Sequence, residues 1–254
     1  MPDQLAHIRF ARRVMEAAPS WLRRRINTHS PAFRAGSFGP DPIFNDPSPR
    51  RRAEAFELHH RPGRESLERM RRPITGRMPW AADYAAGYFC HYALDRLCHP
   101  HIKAMEARGE IRHVPLEAAY DRTLYLRGEK DLPSRIALSP SALKAAAQMY
   151  QRVGPGRYRA DLEAYWQLRR LLILGGGTAL AGIPGRLQPA WDGLIPYGRP
   201  DAATRRGIEM LDALTEKGID EAADQLVLYF EAIDSCRPLD PWTHANFSGF
   251  QTQD

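Results

Sequence analysis

Cysteine is scarce in this sequence of 254 residues. The three cysteines, Cys90, Cys98 and Cys236, form no Cys-x-x-Cys pair and no even-numbered set. Three cysteines spaced in this way do not predict a disulfide-stabilised scaffold. Cys90 and Cys98 also lie eight residues apart in one helical pattern, which is too far for them to bridge each other. We therefore do not expect disulfides to hold this fold together.

Long apolar runs are also missing. No run approaches the roughly 20 apolar residues that a bilayer-spanning helix needs. The start, Met-Pro-Asp-Gln-Leu-Ala-His, has neither the charged segment nor the apolar block of a signal peptide. These absences predict a soluble, cytoplasmic protein without a transmembrane segment.

Alternation of apolar and polar residues with a period of two, which is typical of half-buried strands, is almost absent. Apolar residues recur at helical spacing instead, and this pattern predicts an all-α fold in a single domain over 1–254. In that interpretation 1–127 carry the functional helices, and 128–254 supply supporting helices or a lid. The expected helices cover 3–18, 20–29, 50–72 with an interruption near Pro62-Gly63, 79–107, a helix beginning after His113, 139–152, 160–175, 201–216 and 219–234.

The charge balance is basic, with 36 Lys and Arg against 30 Asp and Glu and a formal net charge of +6. The excess lies early in the chain, at Arg12, Arg13, Arg23, Arg24, Arg25, Arg50, Arg51, Arg52, Arg71 and Arg72. A basic surface suits phosphate-bearing partners such as anionic lipid heads or nucleic acid. Solvated helix faces explain the same residues, and we prefer that simpler interpretation.

The most informative stretch lies on the expected helix 79–107. His91, Asp95 and His99 follow one another at intervals of four, so a helix places all three on one face. Two imidazoles and a carboxylate inside an apolar helix are costly to bury without a shared partner, and they are suitable zinc ligands. Pro100 directly follows His99 and is expected to kink or end the helix.

Further candidate ligands lie elsewhere in the chain. His113 and Glu117 form another pair at an interval of four, with Pro115 in the first turn of their helix. His59 and His60 are adjacent on an expected helix, so at most one of them faces a site. His7 lies near the apolar face of the first helix, where a lone histidine is more often an ordinary core or surface residue.

Asp41 lies between Pro40 and Pro42 in a stretch, Ala35 to Phe44, that is rich in glycine and proline and predicts a loop. A residue before proline is disfavoured in the helical region, so we expect a stiff, extended backbone at Asp41. A simple turn aspartate is the ordinary interpretation. The functional one is a carboxylate that is held toward a metal or a water. Together, these histidines and carboxylates favour a metal site, for which zinc suits the ligands, although spacing does not exclude iron or manganese.

The ordered set of these motifs resembles the zinc-dependent phospholipases C of bacteria, which are similar in fold and metal cluster to the single-strand nucleases of fungi and plants. The resemblance covers about the first 125 residues and rests on His7, Gly39-Pro40-Asp41, Leu58-His59, His91-Tyr92-Ala93-Leu94-Asp95, His99-Pro100 and His113 to Glu117. It implies an all-α, multi-helix bundle around a trinuclear zinc site.

The resemblance also implies a ligand set for two to three zinc ions. Asp41, His59, His91 and Asp95 would hold one ion, His99 or His101 with His113 and Glu117 a second, and His7 with a bridging Asp95 a third. We favour His99 over His101 from helical geometry. The third ion also needs the chain's amino terminus or Asp3. Asp41 would in addition serve catalysis by positioning or deprotonating a water.

The activity that the resemblance implies is hydrolysis of a phosphodiester, with a metal-activated water attacking the phosphorus of a phospholipid-like substrate. The partner would be a phospholipid head group, and nucleic acid is a less favoured one. The alternatives are a nuclease or small-molecule phosphoesterase, and a metal-containing protein diverted to binding or non-hydrolytic chemistry. DNA binding through the arginine-rich helices without catalysis ranks lowest. Oligomeric state and natural substrate are not predicted.

Overall fold

The computed structural model describes residues 4–45, 48–128, 147–152 and 200–250. Within these ranges the chain is helical and contains no strand, so the all-α prediction is confirmed. The α-helices are α1 Gln4–Ala17, α2 Ser20–Arg25, α3 Pro31–Ser37, α4 Pro49–His60, α5 Gly63–Thr75, α6 Ala81–Ala107, α7 His113–Leu126, α8 Ala202–Lys217 and α9 Ile219–Asp234. Short 3₁₀ helices occupy Asp41–Asn45 and Pro241–His244, and 147–152 are also helical.

Helix α6 is the central element. Its 27 residues contact α1, α3, α5, α7, α8 and α9. Most of its side chains are buried, including the aromatic rings of Tyr84, Tyr88 and Tyr92. A helix that is apolar on all sides is stable only when other elements cover it on all sides, which is the position that α6 has here. The proposed metal ligands on α6 therefore lie in the interior of the fold.

Helix α3 crosses α6 at very short range. A Cβ atom at Gly36 would overlap the carbonyl oxygen of Tyr84, and one at Gly87 would overlap that of Phe33. The two glycines therefore allow the two backbones to touch. This contact positions the chain that follows α3, which carries Asp41, beside the middle of α6.

The loop predicted from Ala35 to Phe44 was wrong at both ends, and only 38–40 between them form a turn. Ser30 caps α3, because its hydroxyl accepts a hydrogen bond from the Phe33 amide at 3.0 Å, and Pro31 occupies the first turn. The helix continues through Ser37. The extended backbone predicted for Asp41 was also wrong, since this residue begins a 3₁₀ helix and its amide donates to the Phe38 carbonyl at 3.2 Å. Tight turns that suit the fixed φ of proline outweighed the preference of a pre-proline residue.

Pro100 does not end α6, which continues to Ala107. Proline removes the amide that would have bonded to the Arg96 carbonyl. Gly249 packs there instead: a Cβ atom on it would lie 2.7 Å from that carbonyl oxygen and from Cγ of Pro100. The C-terminal part of the chain thus covers the position at which the proline interrupts the helical hydrogen bonds.

Other boundaries agree more closely with the sequence pattern. The interruption at Pro62-Gly63 separates α4 from α5, and 219–234 matches α9. The second helix is shorter than predicted and ends at Arg25. The predicted helix 160–175 and most of 139–152 lie outside the described residues. No helix in the described ranges is both long and apolar enough to cross a membrane.

Candidate metal centre

Asp41, His59, His91 and Asp95 form a first cluster, in which one potential ligand atom of each lies within 4.8 Å of the others. Nε2 of His59 is 3.1 Å from Oδ1 of Asp41, and Nε2 of His91 is 3.2 Å from Oδ2 of Asp95. Nε2 of His91 also lies 3.6 Å from Oδ1 of Asp41. All four residues are buried. Two nitrogens and two carboxylates at these separations can surround one ion.

His99, His113 and Glu117 form a second cluster. Nε2 of His113 is 2.7 Å from Oε1 of Glu117, and Nε2 of His99 is 4.0 Å from the same oxygen. The two imidazole centroids lie 5.2 Å apart. His113 is the most exposed of the three, so the second cluster lies nearer the surface than the first. This set also has the composition of a zinc site with room for a further ligand.

Asp95 lies between the clusters and turns its two oxygens in different directions. Oδ2 faces His91 and, at 4.0 Å, His59. Oδ1 lies 3.5 Å from Nε2 of His7 and 3.9 Å from Nε2 of His99. The His7 ring also stacks on that of His91, with centroids 4.1 Å apart. A carboxylate in this position can contribute one oxygen to each of two ions.

Several polar atoms at this centre have no hydrogen-bond partner among the described residues. They are both oxygens of Asp95, both ring nitrogens of His7 and of His91, Oδ2 of Asp41 and Nε2 of His99. The 3.2 Å approach of His91 to Asp95 is an ion-pair contact that lacks hydrogen-bond geometry. Buried polar atoms without partners are costly, and bound metal ions would satisfy the carboxylate oxygens and the Nε2 atoms of this set together. The residues therefore fit a metal centre.

A comparison with protein-family models decides the relationship. The family described as zinc dependent phospholipase C matches residues 6–161, which is more than half of the chain. The chain belongs to this family. No curated protein and no solved structure matches it.

Membership of the zinc-dependent phospholipase C family connects the two clusters with zinc and with a phospholipid substrate at the level of the family. The match includes every residue of both clusters and His7. It does not include α8, α9 or the C-terminal segment that follows them. The roles of the individual residues stay predictions that rest on the geometry described above.

The structure distinguishes between the adjacent histidines. His59 is buried beside Asp41, whereas His60 is exposed and its Nδ1 bonds to the Phe56 carbonyl. His99 is likewise buried and faces the second cluster, whereas His101 is exposed. His59 and His99 are therefore the members of each pair that can join the centre. The amino terminus and Asp3, which we considered for a third ion, lie outside the described residues.

Backbone carbonyls orient two of these imidazoles. Nδ1 of His59 donates to the Ala55 carbonyl at 2.7 Å, and Nδ1 of His99 donates to the Phe247 carbonyl at 2.8 Å. With the proton on Nδ1, the Nε2 atom of each ring carries a free lone pair that faces its cluster. Such outer hydrogen bonds are typical of metal-binding histidines in proteins.

Burial favours the neutral form of the two imidazoles in the second cluster. Burial above all lowers the pKa of His99 to about 3 and that of His113 to about 2. Both imidazoles are therefore neutral at pH 7 and can accept a metal ion without releasing a proton.

Around Asp95, neighbouring charges as well as burial determine the pKa values. Burial, and next the charge of His91, lower the pKa of His7. Burial works against the charged forms of His91 and Asp95, but their mutual attraction outweighs it. The pKa of His91 is consequently raised by Asp95 and Asp41, and that of Asp95 is lowered well below its usual value by His91 and His99. Asp95 is thus an anion in the interior.

Three residues that support the centre were not identified from sequence. Asp121 accepts the amides of Leu5 and Ala6 at 2.8 Å each and so holds the helix start that carries His7. Gly39 adopts φ +51°, and its Cα packs against the His91 ring. Phe247 supplies the carbonyl for His99. Asp121 did have a sequence signal, since it follows Glu117 by one turn, whereas Phe247 is 148 residues from its partner and had none.

Proposed function

We propose that this protein is a zinc-dependent phosphodiester hydrolase of the phospholipase C type. The observation that carries the proposal is the position of Asp95, whose two oxygens face separate groups of buried imidazoles. Family membership supports zinc as the metal and a phospholipid as the substrate class.

The residues that would hold zinc follow from the two clusters. Asp41, His59, His91 and Asp95 would bind one ion, and His99, His113 and Glu117 a second. His7 and Oδ1 of Asp95 would contribute to a third. When bound, such ions stabilise negative charge on a phosphodiester and make a water molecule more acidic.

Asp41 is the residue that we propose for proton transfer. Its Oδ1 faces His59 and His91, whereas its Oδ2 is buried and has no hydrogen-bond partner among the described residues. One oxygen can therefore serve the metal while the other accepts a proton from the attacking water. The water oxygen forms a bond to phosphorus, and the bond from phosphorus to the glycerol oxygen breaks. That oxygen takes up a proton, so the products are a phosphomonoester and diacylglycerol.

A nucleic-acid phosphodiester is the second candidate substrate, and one observation favours it. Phe44 lies with its ring centroid 5.0 Å from that of His59, and Phe56 packs edge-on against Phe44. The Phe56 side chain is 59% exposed. An exposed aromatic ring beside a metal centre could stack on a base, as it does in proteins that bind single strands.

The first experiment measures the metal content of the purified protein by elemental analysis. We expect two to three zinc ions per chain. His91→Ala and Asp95→Asn should each lower the zinc content and abolish phosphodiesterase activity together. His60→Ala and His101→Ala are the matched controls, because these exposed neighbours should leave both measurements unchanged. Full zinc content in His91→Ala and Asp95→Asn would refute the assignment.

Substrate class is decided by a panel of phosphatidylcholine, phosphatidylinositol, single-stranded oligonucleotide and a model phosphodiester. The proposal predicts release of diacylglycerol from a phospholipid. Hydrolysis of the oligonucleotide alone would favour the nuclease. A Phe56→Ala variant should then lose oligonucleotide hydrolysis more than hydrolysis of the model phosphodiester, because only the oligonucleotide has bases to stack.

A further inference from the structure

The C-terminal segment, residues 241–250, returns from α9 to the metal centre. It begins with the 3₁₀ helix Pro241–His244 and contacts α5 and α6. The family match ends at residue 161, so it does not include this segment. The sequence pattern assigned no residue of this segment to the metal site. Its contacts nevertheless connect it to both clusters.

The segment is anchored at Ala245 by two hydrogen bonds. The Ala245 carbonyl accepts the Gly63 amide at 3.0 Å and the Tyr92 hydroxyl at 2.8 Å. The Tyr92 hydroxyl also lies 3.2 Å from the Trp242 carbonyl. Gly63 is required for this arrangement, because a Cβ atom there would overlap the Tyr92 ring. Tyr92, which follows His91 directly on α6, therefore holds the segment against that helix.

Neighbouring side chains fix the two ends of the segment. Trp242 stacks on Phe89 with centroids 5.7 Å apart, and the guanidinium of Arg96 lies 4.1 Å from the Trp242 ring centroid. At the other end, Nζ of Lys103 donates to the Ser248 hydroxyl at 2.6 Å. The segment is therefore held on both sides of Phe247.

Phe247 is fully buried and meets both clusters. Its carbonyl accepts the hydrogen bond from Nδ1 of His99, in the second cluster. Its ring lies beside two imidazoles of the first cluster, with centroid distances of 5.1 Å to His59 and 5.9 Å to His91. One residue thus determines the orientation of His99 and limits the space in which His59 and His91 can move.

We propose that the C-terminal segment is a structural part of the metal centre and that Phe247 is a positioning residue for ligands of two ions. Its carbonyl holds the proton of His99 on Nδ1, so that Nε2 faces Asp95 and Glu117. Its ring keeps His59 and His91 in place and keeps water away from the buried side of the first cluster. The inference rests on the proposed function, since it presupposes that these residues bind zinc.

The test compares two buried tyrosines, of which Tyr92 donates to the C-terminal segment and Tyr229 donates to a carbonyl outside it. Tyr92→Phe removes the hydroxyl that holds the Ala245 carbonyl. Tyr229→Phe is the matched control, because the Tyr229 hydroxyl is also buried and donates to a backbone carbonyl, that of Leu67 at 3.2 Å. Zinc affinity is measured by competition with a chelator, and thermal midpoints are measured with and without zinc.

We expect Tyr92→Phe to weaken zinc binding about tenfold and Tyr229→Phe to leave it unchanged, since outer contacts of metal ligands typically contribute about 10- to 100-fold in affinity. Phe247→Ala should reach the upper end of that range, and Phe247→Leu should fall between it and the wild type. In these variants of residues 92 and 247, the gain in thermal midpoint on adding zinc should shrink.

A purely structural role would lower the midpoints with and without zinc equally and leave zinc affinity intact in Tyr92→Phe and both Phe247 variants. That result would overturn the inference and leave the proposed function standing. A wild-type protein that binds no zinc would instead overturn the proposed function, and the inference with it. If Phe247→Ala does not fold, Tyr92→Phe and Phe247→Leu decide.

Discussion

The imidazoles of the centre depend on the backbone around them as much as on one another. His59 and His99 each direct Nδ1 to a backbone carbonyl and so expose Nε2 to a cluster. His91 has a different support, since the backbone of the tight turn at Gly39 packs against its ring. Because the ring is enclosed on that side, the position of His91 is determined by backbone packing.

Gly39→Ala tests this packing. The residue has φ +51°, and a Cβ atom would overlap the imidazole of His91. We expect the free energy of unfolding to fall by roughly 2–4 kcal/mol, from backbone strain together with the displacement of a buried ring. Zinc should also be lost from the first cluster. Urea denaturation and elemental analysis measure the two effects.

Gly109→Ala is the control for the strain alone. Gly109 has φ +69°, but a Cβ atom there would meet nothing within 4 Å. Gly109→Ala should lower the free energy of unfolding by about 1 kcal/mol and leave the zinc content unchanged. If the two variants were equally stable and equally loaded with zinc, Gly39 would not support His91.

At the scale of elements, the contact between α3 and α6 places Asp41 beside His91. Two glycines, Gly36 and Gly87, make that contact possible because the atoms that oppose them belong to the backbone of the other helix. Helix pairs with side chains at the contact pack about 8–10 Å apart, so larger residues here would separate the two helices.

Gly87→Ala should therefore destabilise the protein by roughly 3 kcal/mol or more, although alanine is the better helix former. The overlapping atom is the Phe33 carbonyl oxygen, which cannot rotate away. Separation of the helices should also weaken zinc binding at the first cluster, because Asp41 would move from His91. Chemical denaturation and chelator competition measure these changes.

Gly207→Ala in α8 is the comparison for this prediction. The overlapping atoms there belong to the flexible side chain of Leu116, which can change rotamer. The gain in helix propensity of about 1 kcal/mol should offset most of the cost. Equal destabilisation by Gly87→Ala and Gly207→Ala would contradict the close backbone contact that we assign to α3 and α6.

The boundaries of these elements were largely predictable, whereas their special features were not. Apolar spacing and proline positions are local, and they predicted α6, α8 and α9 within about two residues at each end. The 3₁₀ turn at Asp41 depends on α3 and its contact with α6, which no local pattern reports. The continuation of α6 beyond Pro100 was not predictable for a similar reason, since Gly249 covers the interruption from a distant part of the chain.

For the molecule as a whole, the buried charges predict how stability depends on pH without metal. His99 and His113 have folded pKa values of about 3 and about 2, both well below the usual value. The unfolded chain therefore binds more protons than the folded one below about pH 6.5, and acidification favours unfolding. The raised pKa of His91 acts in the opposite direction. The lowered pKa of His7 acts in the same direction as those of His99 and His113, so destabilisation by acid prevails.

We expect the chelator-treated protein to lose roughly 4 kcal/mol of stability between pH 7 and pH 5, about half of it from each of His99 and His113. The contribution of His99 and His113 is fully present above about pH 6.5 and declines as the pH falls toward their folded pKa values. Urea denaturation at several pH values measures the slope. His99→Gln should flatten it, because glutamine does not titrate. A stability that rises on acidification would refute the prediction.

The sequence by itself determined that this chain is helical and which residues are suited to bind metal. Both inferences use local spacing, since intervals of four on α6 and α7 place side chains on one face whatever the remaining fold. The resemblance to zinc-dependent phospholipases C came from the same ordered residues, and the family match confirmed it.

Only the tertiary structure decided which residues face the centre and what holds them there. The rotation of α4 and α6 about their axes directs His59 and His99 inward and leaves His60 and His101 exposed. The two directions of Asp95 and the carbonyl of Phe247 also depend on the packing of helices that are far apart in the chain. Spacing along one helix cannot report such contacts, because packing against other elements determines them.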